Sequence, residues 1–271
     1  MKHLGYTPEV YKLISIARKY FENKKWKDAN KTYDRIILLL PSNITSMAFN
    51  ARCLAELKKY KEAIECCEKA ESVTPHSKIA MSFLLRVKGE IYLKDGNLNE
   101  ALDCIRMGIR LDPTHPTVGK SWQLLGKILY KSERWEDAAE CYAESANLSP
   151  ESFKQIPLYW RSRCLSKSGK LDEAIECINM VIARKGKSSL IFSCYKEKGI
   201  ILSNKRLHED AVECFDLALE IRPDDTFTLV RRGSSLAFLG NLDGCLECFD
   251  KALGADPDDF NFWSAKHYAM Q

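Results

Sequence analysis

Cysteine is the residue with chemical potential that recurs most regularly in this chain. The sequence contains eleven cysteines. Six of them follow one another at intervals of 34 to 38 residues: Cys66, Cys104, Cys141, Cys177, Cys214 and Cys248. Equivalent residues on neighbouring packed helices should lie about 8–10 Å apart, whereas a disulfide needs Cα atoms within about 7 Å. We therefore interpret these cysteines as small packing residues, and we expect all eleven to be reduced and free of metal.

Metal and catalytic motifs are otherwise sparse. Cys245-x-x-Cys248 has half of a structural zinc spacing, and the sequence contains no second pair of this kind. The five histidines are scattered, and none belongs to an H-E-x-x-H pattern. The sequence also lacks a G-x-S-x-G nucleophile turn and a glycine-rich phosphate loop. We expect no catalytic residue, no metal and no cofactor, and hence a protein that is not an enzyme.

The residues around the cysteines recur with the same period, and they indicate paired helices. A small residue lies three positions before each regular cysteine and also in an earlier, first copy: Ala29, Ala63, Ala101, Ala138, Ala174, Ala211 and Cys245. A second small residue lies twelve positions earlier: Ala17, Ala51, Gly89, Gly126, Ser162, Gly199 and Gly233. A proline follows twelve positions later in all copies but the fifth, which has Gly186. Small residues on both partners allow two amphipathic helices to approach closely, and such a pair must stack on copies of itself to bury its apolar faces.

The pattern large–x2–large–small–x2–large, then small–x3–large, then proline resembles the tetratricopeptide repeat (TPR) family. The resemblance implies an all-α, right-handed superhelical solenoid of tandem helical hairpins, an α-α superhelix that binds other proteins. We expect one solenoid over 1–271 with repeats at about residues 10–43, 44–77, 82–115, 119–152, 155–188, 192–225 and 226–259. Residues 260–271 would be a capping helix or the start of a further repeat in a longer protein. The turn inside the sixth repeat, at 203–210, looks shifted by one residue.

Composition favours an intracellular protein. The net charge of +4 is mild and demands neither nucleic acid nor membrane. No apolar run approaches the length of a membrane span, and the first twenty residues lack the apolar block of a signal peptide. Together with an odd number of cysteines, this predicts a cytoplasmic protein in a reducing compartment.

In the family that the chain resembles, the first helix of each repeat lines a concave groove. Basic and aromatic residues fall at the positions that should face this groove: Arg18, Phe49, Arg52, Phe83, Arg86, Lys120, Lys127, Tyr130, Tyr159, Trp160, Arg163, Lys196 and Arg231. Arginine and exposed aromatic rings are typical of binding hot spots. Second helices begin with acids, which predicts an acidic outer wall. We therefore predict a scaffold that binds an acidic peptide or partner segment in this groove, and we expect Arg52 and Arg163 to contribute nothing to the core.

Two other functions are compatible with the sequence. The same basic stripe could bind single-stranded nucleic acid through stacking aromatics, although the mild net charge and acidic outer wall argue against it. The chain could also be the regulatory TPR part of a larger protein. The family's carboxylate clamp for chaperone C-termini needs Lys, Asn and Arg at set positions. Repeats one to three have other residues there, including Ile14, Phe49 and Val87, so we expect a different protein or peptide partner.

Overall fold

All regular elements in the described residues are helices. The computed structural model describes residues 7–73, 77–113, 118–184 and 188–255, and these form fourteen α-helices and one short 3-10 turn. The all-α prediction is therefore confirmed. The helices fall into two compact units, residues 1–133 and 134–271, which are described separately below.

Unit 1 contains three complete hairpins and one further helix. Its helices are α1 Pro8–Glu22, α2 Trp26–Leu39, α3 Ile44–Glu56, α4 Tyr60–Glu71, α5 Lys78–Asp95, α6 Leu98–Leu111 and α7 Val118–Lys131. Each helix packs against the next along the chain, and first helices of neighbouring hairpins also touch, as α3 does with α5. Thr7 begins α1 in the way its sequence predicts, since its side chain accepts a hydrogen bond from the backbone N–H of Val10 and a proline follows.

Unit 2 repeats the same arrangement. Its helices are α8 Trp135–Leu148, α9 Gln155–Lys167, α10 Leu171–Ala183, α11 Ser188–Asn204, α12 His208–Ile221, α13 Thr226–Phe238 and α14 Leu242–Ala255. Here α9–α10, α11–α12 and α13–α14 form hairpins, α8 packs on α9, and the first helix α11 contacts both α9 and α13. Consecutive hairpins thus stack mainly through the second helix of one and the first helix of the next, as α12 and α13 do, with smaller contacts between first helices.

The small residues lie where the helices of a hairpin approach most closely. All fourteen small positions named above are buried. At Gly89 an added Cβ atom would meet Cδ1 of Ile105 at 2.6 Å, and at Gly199 it would meet Cε1 of Phe215 at the same distance. These glycines are therefore required by packing between facing helices, and the predicted role of the small positions is confirmed.

One residue in each hairpin turn adopts the left-handed conformation. It always lies five positions before the small residue of the second helix: Lys24, Lys58, Gly96, Glu133, Gly169, Arg206 and Gly240. In six of the turns the backbone N–H of the next residue reaches back to a carbonyl five residues earlier, as from Leu207 to Leu202 at 3.0 Å. This is the Schellman ending of a helix. Because Arg206 occupies the common register, the prediction that the sixth turn is shifted was wrong.

Several expectations fall on other parts of the chain. Gly186, Pro75, Pro257 and the segment 260–271 lie outside the described residues, so their predicted roles stay predictions. None of the helices in 7–73, 77–113, 118–184 or 188–255 is long and apolar enough to cross a membrane.

Candidate functional site

The predicted groove residues lie on the first helices of the hairpins. We call the surface formed by their side chains the first-helix face, and it is considered within each unit alone. Unit 1 contributes Arg18, Phe49, Arg52, Phe83, Arg86, Lys120, Lys127 and Tyr130 from α1, α3, α5 and α7. Unit 2 contributes Tyr159, Trp160, Arg163, Lys196 and Arg231 from α9, α11 and α13.

In unit 1 the aromatic residues of this face form a continuous row. Phe49 is its centre: its ring lies 5.4 Å from Phe21 and 5.3 Å from Phe83, and it stacks on Tyr33 at 5.7 Å. Phe21, Phe49 and Phe83 are half-buried, whereas Tyr33 is buried. Aromatic pairs at these distances add stability beyond the area they bury. The row therefore connects three consecutive hairpins and keeps partly exposed rings on the surface.

Two arginines of unit 1 share a single acid. Arg52 places Nε 3.2 Å from Glu90, and its guanidinium lies 5.2 Å from the ring centre of Phe21. Arg86 pairs with the other oxygen of Glu90 and lies 5.1 Å from the ring centre of Phe83. Arg86 is only 9% exposed. Both side chains thus lie in the packing between α3 and α5, where Arg52, which we expected to stay out of the core, is half-buried.

Other bases of unit 1 face solvent. Arg18, Lys120 and Lys127 are exposed, and no acid of the described residues lies within ion-pair distance of them. Tyr130 is half-buried one turn beyond Lys127. These three bases therefore provide positive charge that the described part of the chain does not neutralise.

In unit 2, the ring of Trp160 connects α9 to α8. Its ring stacks on Tyr142 at 6.2 Å and meets Tyr159 edge to face at 6.0 Å. Arg163 lies over Trp160 at 4.8 Å and 3.8 Å from Glu197 of α11. Burial raises the pKa of Glu197, although the positive charge of Arg163 opposes this shift. Arg163, like Arg52, is therefore held by an aromatic ring and an acid.

A second group in unit 2 collects three bases around two rings. Lys196 lies 4.8 Å from the ring centre of Phe192 and 5.4 Å from that of Phe227. Arg222 covers Phe192 at 4.4 Å, and Arg231 covers Phe227 at 5.2 Å. The sequence analysis missed Arg222 because it considered first helices only, and Arg222 follows the end of α12. Its position directly before Pro223, in the connection to the next first helix, is the signal that could have revealed it.

The thiols form no reactive centre. All eleven cysteines are free, and nine of them are buried, with Cys66 and Cys104 half-buried. Burial raises the pKa of Cys53, Cys164 and Cys194 to about 12, which keeps these thiols protonated near neutral pH. Within the described residues, no group of three or more His, Cys, Asp or Glu side chains could hold a metal ion. The first-helix face of each unit combines basic side chains with partly exposed aromatic rings.

Known proteins resemble the chain in sequence and fold. Tetratricopeptide repeat profiles match residues 119–152 and also 51–77, 87–115, 193–225 and 228–259. "Protein STIP1 homolog" of Dictyostelium discoideum is 26% identical over 183 residues, which cover 66% of this chain and 30% of that protein. A "TPR repeat-containing protein" of Methanocaldococcus jannaschii is 23% identical over 235 residues, or 82% of this chain and 38% of that one. The chain thus spans well under half the length of these curated relatives.

A solved structure shows the same fold. The C-terminal part of a TPR repeat-containing protein from Cytophaga hutchinsonii aligns with a TM-score of 0.71 and 15% identity over 93% of this chain and 98% of that one. The repeat profiles match more than half of the sequence, and the matched segments each include helices described above. The chain belongs to the tetratricopeptide repeat family.

Proposed function

We propose that this chain is a non-enzymatic scaffold that binds an acidic peptide or partner segment on its first-helix face. Membership of the TPR family supports a role in protein–protein interaction. The observation that supports an acidic ligand is the set of exposed bases without an acidic partner in the described residues, Arg18, Lys120 and Lys127. They share the face with half-buried phenylalanine rings, so one segment can use charge for orientation and apolar contacts for affinity.

The contacts divide the bases into two classes with different uses in an experiment. Arg52, Arg86 and Arg163 are paired with acids and packed on rings. Reversing their charge would leave Glu90 or Glu197 beside a second carboxylate and would weaken the packing between hairpins. The exposed bases have no such partners, so their charge can be reversed with little effect on stability.

The test begins with capture of the partner and mapping of the bound segment. Its affinity is then measured by titration calorimetry at low and high salt. The binding variant combines Arg18→Glu, Lys120→Glu and Lys127→Glu, the three exposed bases without an acidic partner in the described residues. A control variant reverses three exposed lysines of second helices: Lys27→Glu, Lys31→Glu and Lys69→Glu.

We expect the binding variant to lose at least about tenfold in affinity, since each exposed charge pair contributes about 0–1 kcal/mol and tenfold corresponds to about 1.4 kcal/mol. Wild-type affinity should also weaken with salt, because screening shortens to about 8 Å near physiological ionic strength. The control variant has the same net charge and should bind within about twofold of wild type if position matters more than net charge. Equal losses in both variants, or a partner bound to the second helices, would contradict the proposal.

The same titration separates the proposal from nucleic-acid binding. A single-stranded oligonucleotide that displaces the partner at equal concentration would favour that function. The partner is not expected to use a carboxylate clamp, because Val87 is buried and Ile14 is half-buried at two of the positions where a clamp needs polar side chains. One solved structure of similar fold is described as a TPR protein with an unusual peptide-binding site, which agrees with a peptide ligand bound in another way.

A further inference from the structure

Three bases of unit 2 surround two aromatic rings, and one acid lies within ion-pair distance of one of these bases. We call this group the Phe192–Phe227 cluster: Phe192, Lys196, Arg222, Asp225, Phe227 and Arg231. Phe192 is 1% exposed and forms a fixed floor, whereas Phe227 is 43% exposed. Lys196 contacts both rings, and Arg222 and Arg231 each cover one of them at 4.4 and 5.2 Å. The cluster therefore presents two exposed guanidinium groups and a lysine beside an open ring.

Asp225, the only acid in this cluster, caps the start of a helix. Asp225 begins α13, where its carboxylate oxygen accepts hydrogen bonds from the backbone N–H of Thr228 at 3.0 Å and from its hydroxyl at 2.5 Å. Lys196 lies 3.7 Å from that same oxygen, a long distance for an ion pair. The nearby Asp224 and Glu220 are exposed and form no ion pair with the three bases in the described part of the chain. About two positive charges of the cluster are left for a ligand.

A phosphorylated side chain has the matching charge. A phosphoserine or phosphothreonine carries about −1.5 to −2 at neutral pH and offers three strong acceptor oxygens, whereas glutamate carries a single charge. Arginine guanidinium groups donate two parallel hydrogen bonds to phosphate, and here each of the two guanidinium groups lies over an aromatic ring. The exposed edge of Phe227 offers a contact for an apolar residue next to the phosphate.

We infer that the Phe192–Phe227 cluster binds a phosphoserine or phosphothreonine of a partner segment, flanked by an apolar residue. The inference rests on the proposed function, because it treats the cluster as the point at which the acidic segment is recognised. It adds a switch: modification of the segment, rather than acidity alone, would determine binding in unit 2.

Three libraries of nine-residue peptides test this inference; the flanking positions are randomised, and the libraries differ from one another only at the central position. One library has phosphoserine there, a second has glutamate and a third has alanine. The whole chain is used, and peptides retained at low salt are sequenced. The best phosphorylated sequence is then made with all three central residues, and its affinity is measured by fluorescence anisotropy.

We expect the phosphoserine peptide to bind at least about tenfold more tightly than the glutamate peptide, since phosphate carries about −1.5 to −2 against the single charge of glutamate and offers a third acceptor oxygen to the guanidinium groups. Apolar residues should be enriched beside the phosphoserine. Arg222→Gln and Arg231→Gln should each lower affinity by about tenfold. Lys251→Gln, an exposed base on α14, should change it less than twofold. Circular dichroism of each variant shows whether the fold is intact.

Each other result overturns the inference in a recognisable way. Equal binding of phosphoserine and glutamate peptides would remove the phosphate specificity and leave the proposed function standing. No retained peptide, or an equal effect of Lys251→Gln, would show that the cluster is not a phosphopeptide site. Tighter binding of a single-stranded oligonucleotide would assign the cluster to nucleic acid. The proposed function fails separately, when reversal of Arg18, Lys120 and Lys127, which lie outside the cluster, leaves the isolated partner's affinity unchanged.

Discussion

The packing at Gly199 predicts that adding one methyl group destabilises unit 2. In Gly199→Ala the new Cβ atom would lie 2.6, 2.8 and 2.9 Å from three carbons of the Phe215 ring. Carbon atoms pack at about 3.5–4.0 Å, so the ring must withdraw by about 1 Å. Phe215 is fully buried, at 0% exposure, and has no solvent-facing space to move into.

The expected cost follows from two opposing effects. Overpacking of a core costs about 1–3 kcal/mol, whereas alanine recovers up to about 1 kcal/mol of helix propensity relative to glycine. We therefore expect Gly199→Ala to lower the free energy of unfolding by about 1–2 kcal/mol. A matched control exists in α14, where a Cβ atom on Gly254 would meet nothing within 4 Å. Gly254→Ala should be neutral or stabilising by up to about 1 kcal/mol.

The assay is urea unfolding followed by circular dichroism, together with hydrogen exchange of α11 and α12, because repeat proteins can open in segments. Phe215→Ile provides a second check, since the α9–α10 hairpin has Ile178 at the equivalent position opposite Ser162. In that background the cost of Gly199→Ala should fall to near zero. If Gly199→Ala is as stable as Gly254→Ala, the close approach of α11 and α12 is not a constraint and the reasoning is wrong.

Three further predictions concern the turns, a buried carboxyl group and the thiols. Arg206→Gly should raise the free energy of unfolding by up to about 1 kcal/mol. A left-handed residue other than glycine costs about 1–2 kcal/mol, and part of this gain is lost because glycine gives the unfolded chain more conformational entropy. An unchanged urea midpoint would contradict this. Burial raises the pKa of Glu197, so the stability that this carboxyl group contributes to the fold is largest below the ordinary carboxyl pKa and is lost as pH rises through the pKa of the folded state. The free energy of unfolding of Glu197→Gln should therefore increase relative to that of wild type between pH 4 and pH 7. A difference that does not change with pH would refute this. Denatured protein should titrate eleven thiols without reductant, and native protein should react slowly at pH 8, with half-buried Cys66 and Cys104 first; stoichiometric zinc or fewer thiols would contradict this.

The repeat architecture could be predicted because it depends on residue size at fixed spacing. Ala17 and Gly89 are small for the same steric reason, and the facing helix leaves no alternative. The turns were harder to read from sequence. A glycine such as Gly96 indicates a left-handed residue, whereas Arg206 adopts the same conformation although arginine does not favour it. The wrong register for the sixth turn arose from that difference.

The surface could be predicted only in part. Positions on first helices follow from periodicity, so Arg52 and Lys127 could be assigned to one stripe. Which base is neutralised depends on the acid that the next hairpin brings close, as Glu90 does for Arg52. Sequence spacing within one repeat does not contain that information. Arg222 was missed because its side chain reaches Phe192 from a connection between hairpins.

The ion pairs between hairpins have a consequence for how this gene can change. The small residues recur at the same positions in every hairpin, so the hairpins look interchangeable in shape, but their charged residues differ. The α11–α12 hairpin forms three ion pairs with the hairpins on either side of it: Arg163–Glu197, Asp172–Lys205 and Asp225–Lys196. After an in-frame deletion of this hairpin, the flanking hairpins could still pack through their apolar faces, but Arg163, Asp172 and Asp225 would all lose their ion-pair partners. Recombination among the repeats is therefore constrained by charge as well as by shape, and the order of the hairpins is expected to be inherited as a set.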